Sequence, residues 1–313
     1  MTQPINGVNG CNGVNGKSES LDYEEIEIPV PWGIISGKWW GSKEQQPFLA
    51  LHGWQDNANT FDNLAPLLIQ EGHSILAIDL PGHGRSSHYP QGTYYYIFWD
   101  GIHLIRRIVK HFKWEKIDLL GHSLGGIMSF LYASVYPEEV GKYISIDIAG
   151  PVTKSEKTHQ ILGGSVDKFL EFDNLDEEKT PTYTYQEAFD IYKKAYEKNA
   201  NEESCRILLE RGLKKNEDGS YSFARDLRLK VCALGFFTVD QVMGFAQCVK
   251  CDVLNIRGNP GMDFPPERYD AVLDEIEKTC GRLVRKVVPG KHHLHLDNAK
   301  DVANVIIEFL QDY

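Results

Sequence analysis

Short apolar runs take turns with stretches whose apolar residues recur every three or four positions, and that alternation leaves few folds open. Pro47 to His52 (PFLALH), Ser74 to Leu80 (SILAIDL), Lys116 to Leu120 and Tyr143 to Ile148 (YISIDI) read as buried parallel strands. Between them Phe61, Leu64, Leu67 and Leu68 mark one helical face. Phe98, Ile102, Ile105, Val109 and Phe112 mark a second, and Leu124 to Tyr136 forms a third helix. Such a series implies right-handed crossovers and an α/β fold, a mostly parallel sheet with helices on both faces. Ahead of it, the alternation of Ile26, Ile28 and Val30, then Trp32-Gly33 and Ile34 to Trp39, predicts an opening hairpin. Asn-Gly-Val-Asn-Gly occurs at 6–10 and again at 12–16. It buries almost nothing, so residues 1–20 are expected to be a disordered leader.

The rhythm breaks over residues 151–250. Tyr185, Ala188, Phe189, Tyr192 and Tyr196 outline one amphipathic helix, and Cys205, Leu208 and Leu209 another, with a turn at Asp218-Gly219. Strand and helix then resume with Val253 to Arg257, Arg282 to Val288 and a closing helix drawn by Val302, Val305, Ile306, Phe309 and Leu310. The chain therefore divides into a core, 21–150 with 251–313, and a helical insertion over one end of the sheet. Its position and its aromatic residues (Tyr185, Phe189, Tyr192, Tyr196, Phe236, Phe237, Phe245) suggest a substrate lid over an apolar pocket.

Composition excludes several functions. Asp and Glu number 44 against 33 Lys and Arg, a net charge of −11 with no basic cluster, so nucleic acid is not an expected partner. No apolar run approaches the ~18 residues of a membrane span, and the start lacks the basic and apolar regions of a secretory signal. A cytoplasmic location is the expectation. The six cysteines, Cys11, Cys205, Cys232, Cys248, Cys251 and Cys280, are scattered and read as free thiols. Cys248 and Cys251 form a lone C-x-x-C with no second ligand pair.

Gly121-His122-Ser123-Leu124-Gly125-Gly126 lies between a predicted strand and a predicted helix. In that setting G-x-S-x-G is a nucleophile elbow: glycines two before and two after the serine permit the tight turn that lifts Oγ of Ser123 above the sheet. A serine hydroxyl needs a base to take its proton. His292, His293 and His295 follow the last strand, where catalytic loops gather in an open α/β sheet. His292 is the expected base, and His293 and His295 its packing or solvent-facing neighbours. No carboxylate or cysteine lies at metal-ligand spacing from these histidines, so no metal is expected. His83 and His122 read as turn residues, His103 and His111 as helix surface. Leu51-His52-Gly53-Trp54 ends an early strand. The N–H groups of Trp54 and Leu124 would together form an oxyanion hole. Residues 79–86 (DLPGHGRS) read as a structural turn that buttresses this loop.

Together these residues resemble the α/β-hydrolase superfamily over about 25–313. LHGWQDNANTFDNLAPLL, DLPGHGRSSHYPQGTYY, GHSLGG and GKHHLHLD are similar to the serine hydrolase-like, or kraken-type, proteins of animals. The resemblance implies an eight-stranded sheet, a helical lid after the sixth strand, hydrolysis of an ester-like bond and no cofactor. Haloalkane dehalogenases and epoxide hydrolases carry aspartate at the elbow, where this chain has Ser123. In one respect the chain departs from the pattern. The triad acid commonly follows the seventh strand, yet Gly261 occupies that slot in the stretch from Arg257 to Pro266. The turn is similar to that of dehalogenases whose acid ends the sixth strand, which points to Asp147, with Asp263 as the alternative. The expected function is hydrolysis of a small or medium carboxylic ester, thioester or lactone through an acyl-enzyme. A slow-turnover ligand receptor and a C–C bond hydrolase share the same residues. Oligomeric state leaves no mark in the sequence.

Overall fold

The structure, a computed structural model, describes residues 23–153, 158–175, 180–231 and 235–311. The expected leader, Cys11 and Cys232 lie outside them. The opening hairpin consists of β1 (Tyr23–Val30) and β2 (Gly33–Trp40), paired antiparallel. The core continues through β3 (Phe48–Leu51), α1 (Ala65–Gln70), β4 (Ile75–Ile78), α2 (Ile97–Phe112), β5 (Ile117–His122), α3 (Leu124–Val135) and β6 (Val140–Ile146). Then come α4 (Thr158–Asp173), α5 (Tyr185–Tyr196), α6 (Glu202–Gly212), β7 (Leu213–Lys215), β8 (Tyr221–Phe223) and α7 (Val239–Ala246). The core resumes with β9 (Asp252–Gly261), α8 (Pro266–Glu277), β10 (Leu283–Lys291), α9 (Leu294–Asp297) and α10 (Ala299–Gln311).

Eight strands form one sheet in the order β1-β2-β4-β3-β5-β6-β9-β10. From β4 to β10 every pairing is parallel. Successive strand residues point to opposite faces, which is why these strands are apolar throughout. Leu49, Leu119, Tyr143 and Val253 enter one core layer with Leu104, Ile108 and Leu273 of the helices. Their neighbours Ala50, Leu120, Ile144 and Leu254 enter the other, with Leu68, Val302, Ile306 and Phe309. α3 is buried along most of its length, so its sequence is apolar all round.

Two details differ from the sequence reading. The insertion is not wholly helical, because β7 and β8 form a small antiparallel hairpin. Asp218 closes it by accepting from the Ser220 N–H at 2.9 Å, at the turn expected there; the flanking strands, three residues each, are too short for periodicity to reveal. β9 and β10 also run further than their apolar cores suggest, staying in register to Lys291 opposite Gly261. The longer β10 ends immediately before His292.

The insertion is anchored through α6. Arg211, almost fully buried, donates to Asp79 at 2.7 Å and to Glu25 at 2.6 Å. Asn57 and Asn59 donate to the main-chain carbonyls of Leu208 and Ile207, each at 2.9 Å. Among the described residues no helix is long and apolar enough to cross a membrane.

Candidate active site

The chain order reverses direction across the sheet at β3, which lies between β4 and β5. A crevice opens beyond the carboxyl ends of the strands at such a switch point. Here the end of β3 leads into His52-Gly53-Trp54 and the end of β5 into Ser123. Ser123 sits at φ 51°, ψ −113°, a backbone conformation that non-glycine residues rarely adopt. The tightness of the bend explains its glycines. A Cβ on Gly121 would lie 2.5 Å from the backbone of Gly125, and one on Gly125 would lie 2.0 Å from the Leu51 carbonyl oxygen.

β10 delivers His292 to the same end of the sheet. Its Nδ1–H donates to Oδ2 of Asp147 at 2.7 Å. That contact fixes the tautomer and leaves Nε2 as the basic nitrogen. Asp147 directly follows β6 at φ 55° and is buried. Its carboxylate also accepts from the N–H of Gly258 at 2.8 Å and of Met262 at 2.7 Å. Asp263, the alternative acid, is exposed. Gly261 packs directly on Asp147: a Cβ there would lie 2.6 Å from its Oδ1. The carboxylate of Asp147 therefore fills the space that a side chain at position 261 would need.

Trp54 and Leu124 line one cavity with Ser123. The indole of Trp54 is pinned by donation to the Leu229 carbonyl at 2.9 Å. Below it, His52 accepts the Leu80 N–H on Nε2 at 2.9 Å and donates from Nδ1 to the Gly53 carbonyl at 2.7 Å. Asp79 accepts from the N–H groups of Ala58 and Arg85, each at 2.8 Å, so the 79–86 turn buttresses the loop.

His122 is not a turn residue. It ends β5, fully buried, with its ring 4.2–4.7 Å from those of His292, His293 and His295. Its Nε2–H donates to the main-chain carbonyl of His292 at 2.9 Å, which ties the elbow to the histidine loop. His293 and His295 are buried as well; His293 approaches Asp56 at 3.3 Å and His295 meets Thr60 at 2.8 Å. Burial, reinforced by the neighbouring imidazoles, pushes the pKa of His122 and of His295 well below the usual histidine value. Burial alone would raise the Asp56 carboxyl, but the hydrogen bond and charge of His293, with His52 and the Asn57 N–H, hold it below its ordinary range. Sequence reasoning missed Asp56, whose only signal is its place two residues after Trp54.

The cavity measures about 230 Å³ and its wall is apolar and aromatic. It draws on Tyr96 and Trp99 at the start of α2, on Ile127, Val152 and Val231, and on Met262. Of the seven aromatic residues singled out in the insertion, only Phe236 lines it. Phe189 and Tyr192 instead pack against Leu208 and Leu296, and Phe237 and Phe245 against each other and Trp99. Helical spacing identified an inward face, and that face turned out to be core. Cys205, Cys248, Cys251 and Cys280 are free thiols.

A family model described as the alpha/beta hydrolase fold matches residues 46–299. A probable serine hydrolase of Drosophila melanogaster is 51% identical over 293 residues, 93% of this chain and 88% of that one. Serine hydrolase-like protein 2 of Homo sapiens is 31% identical over 92% of this chain and 94% of its own. The crystal structure of a hypothetical protein from Pseudomonas aeruginosa PAO1 superposes with a TM-score of 0.79 at 31% identity, covering 92% of this chain and 99% of that chain. A thioesterase domain from the curacin biosynthetic pathway shares the fold, with a TM-score of 0.78 at 23% identity over 92% of this chain and 99% of its own.

Proposed function

The chain belongs to the alpha/beta hydrolase fold family, among its serine hydrolase-like members, and from that premise we propose that it is a carboxylesterase using Ser123, His292 and Asp147. The observation that carries this reading is the 2.7 Å contact between His292 and Asp147, at the end of the sheet where Ser123 occupies its positive-φ bend. Oγ of Ser123 attacks the ester carbonyl as Nε2 of His292 takes its proton. The N–H groups of Trp54 and Leu124 hold the oxyanion, each worth about 3 kcal/mol if they behave as in subtilisin. His292 then protonates the departing alcohol, and water activated by the same imidazole releases the acid. Asp147 orients His292 and offsets the charge of the imidazolium.

The apolar wall and the cavity of about 230 Å³ support a small or medium neutral ester as substrate, with a thioester as the nearest variant. Val152, Val231 and Phe236 contribute to that wall from the insertion, which supports its reading as a lid. Ser123→Ala should abolish turnover of p-nitrophenyl butyrate, a loss on the order of 10⁴ to 10⁶, and should abolish covalent labelling by a fluorophosphonate. Unchanged turnover by the purified variant would end this mechanism.

A further inference from the structure

Three groups from distant parts of the chain meet behind the elbow. Asp56, His122 and His293 are all buried, and each offers a donor atom within 4.8 Å of the other two. Sequence spacing gave no sign of this, since Asp56 lies 237 positions from His293. The proton of His122 sits on Nε2, committed to the carbonyl of His292. Its Nδ1 is therefore a bare lone pair, buried and without a hydrogen-bond partner among the described residues. A backbone carbonyl holding the other ring nitrogen is the usual support of a metal-binding histidine. Gly53 stands at this nitrogen: a Cβ there would come 3.0 Å from Nδ1, so the missing side chain leaves the lone pair approachable.

The second pair of donors is already in contact through a hydrogen bond, so an ion there displaces the Nε2 proton of His293. Nε2 of His293 and Oδ2 of Asp56 stand 3.3 Å apart. That is long for a charge-assisted hydrogen bond, and close to the separation of two ligands bonded at about 2.0–2.1 Å to one tetrahedral ion. The other oxygen of Asp56 accepts the Asn57 N–H at 2.8 Å, which fixes the carboxylate. The three donors, all within 4.8 Å of one another, must close to about 3.3 Å to form three corners of a tetrahedron around one ion.

We propose that Asp56, His122 and His293 form a binding site for a divalent transition ion, zinc foremost, with water as fourth ligand, and that the bound ion inhibits the enzyme. Two imidazoles and one carboxylate suit zinc, copper or nickel and disfavour calcium and magnesium, which prefer oxygen throughout. Inhibition follows from position. The rings of His122 and His293 lie 4.6 and 5.5 Å from that of His292, so a double positive charge between them opposes the positive charge that His292 acquires during proton transfer. The inhibition, though not the binding, rests on the catalytic reading above. Because the ligands are buried, the ion enters through local opening and inhibition develops with time.

The test uses the full chain, freed of metal by a chelator that is then removed. Equilibrium dialysis should find one zinc per chain at this site, and cobalt in its place should give the intense visible bands of a tetrahedral centre. The cobalt spectrum needs no variant: only the pale spectrum of the octahedral aqueous ion would overturn the site. His293→Gln and Asp56→Asn, checked for folding by circular dichroism, should each weaken zinc binding on the order of 100-fold. Binding unchanged in both would place the ion elsewhere and also overturn it. Zinc should lower wild-type ester turnover at least about tenfold, reversibly with chelator, and whatever activity His293→Gln retains should lose that sensitivity. Stoichiometric zinc with undiminished turnover would overturn the inhibition. Zinc bound by a chain with no esterase activity would leave the site standing and count against the proposed function instead.

Discussion

His292 and Asp147, 145 positions apart, are joined by a 2.7 Å hydrogen bond, and Gly261 lies against the carboxylate that makes it. Asp147→Asn should therefore reduce ester turnover by about 10⁴, the loss known when a triad acid becomes an amide. Asp263→Asn, on an exposed residue, should leave kcat/KM nearly unchanged. Position 261 faces the same space, so Gly261→Asp added to Asp147→Ala should recover part of the lost turnover. Equal, mild losses in the two single variants, measured by steady-state kinetics, would remove Asp147 from the mechanism.

Gly125→Ala forces a methyl to within 2.0 Å of the Leu51 carbonyl oxygen, and neither backbone can yield without moving the elbow. The expected cost is about 3 kcal/mol or more of stability, and a displacement of Ser123 by even an ångström costs on the order of 100-fold in rate. Urea denaturation and p-nitrophenyl butyrate kinetics on one preparation measure both. A variant as stable and active as the parent would contradict the described bend.

Acid should unfold this protein steeply. Burial holds the pKa of His52, His83, His122 and His295 below the usual 6.5 in the folded chain. Below that pH the unfolded chain binds protons that the folded one refuses. The stability present above about pH 6.5 is thus lost as pH falls toward the depressed folded values. Four such groups set an upper slope of about 5 kcal/mol per pH unit. Urea midpoints at pH 7.5, 6.5 and 5.5 should drop across this series; a flat response would mean that the imidazoles are solvated.

Asp100 presents the opposite case. Burial pushes its carboxyl up to about 6, and its Oδ2 is buried without a partner among the described residues. The folded chain holds that proton more tightly than the unfolded one, so Asp100 destabilises the fold as pH rises from about 4 through 6. Asp100→Asn should gain up to about 3 kcal/mol at pH 7.5 and nothing at pH 4. A variant equally stable to its parent at pH 7.5 would show that the carboxylate is hydrated.

The elbow was readable because its parts are local: strand, glycines, serine and helix occupy fewer than twenty consecutive positions. His292 was readable for a similar reason, as a histidine directly after a terminal strand. The cavity wall was not, since Trp99, Val152 and Met262 meet only through the sheet order. Tyr192 and Phe189 show the limit of periodicity, which tells that a helix has an inner face without telling whether that face meets core or cavity. The Asp56–His293 pair and the burial of His122 depend on contacts across more than 150 residues, beyond any spacing rule.

Arg211 bears on which half of the insertion is held still. A guanidinium withdrawn from water, shared between Asp79 and Glu25 and flanked by the Asn57 and Asn59 bonds to α6, fastens that half of the insertion to the core. The cavity reaches water beside Tyr96 and Trp99, whose aromatic rings are half exposed, and there we expect an ester to enter. A bulky residue grafted there should slow entry of long esters, whereas the same graft on α6 should disturb only the fold.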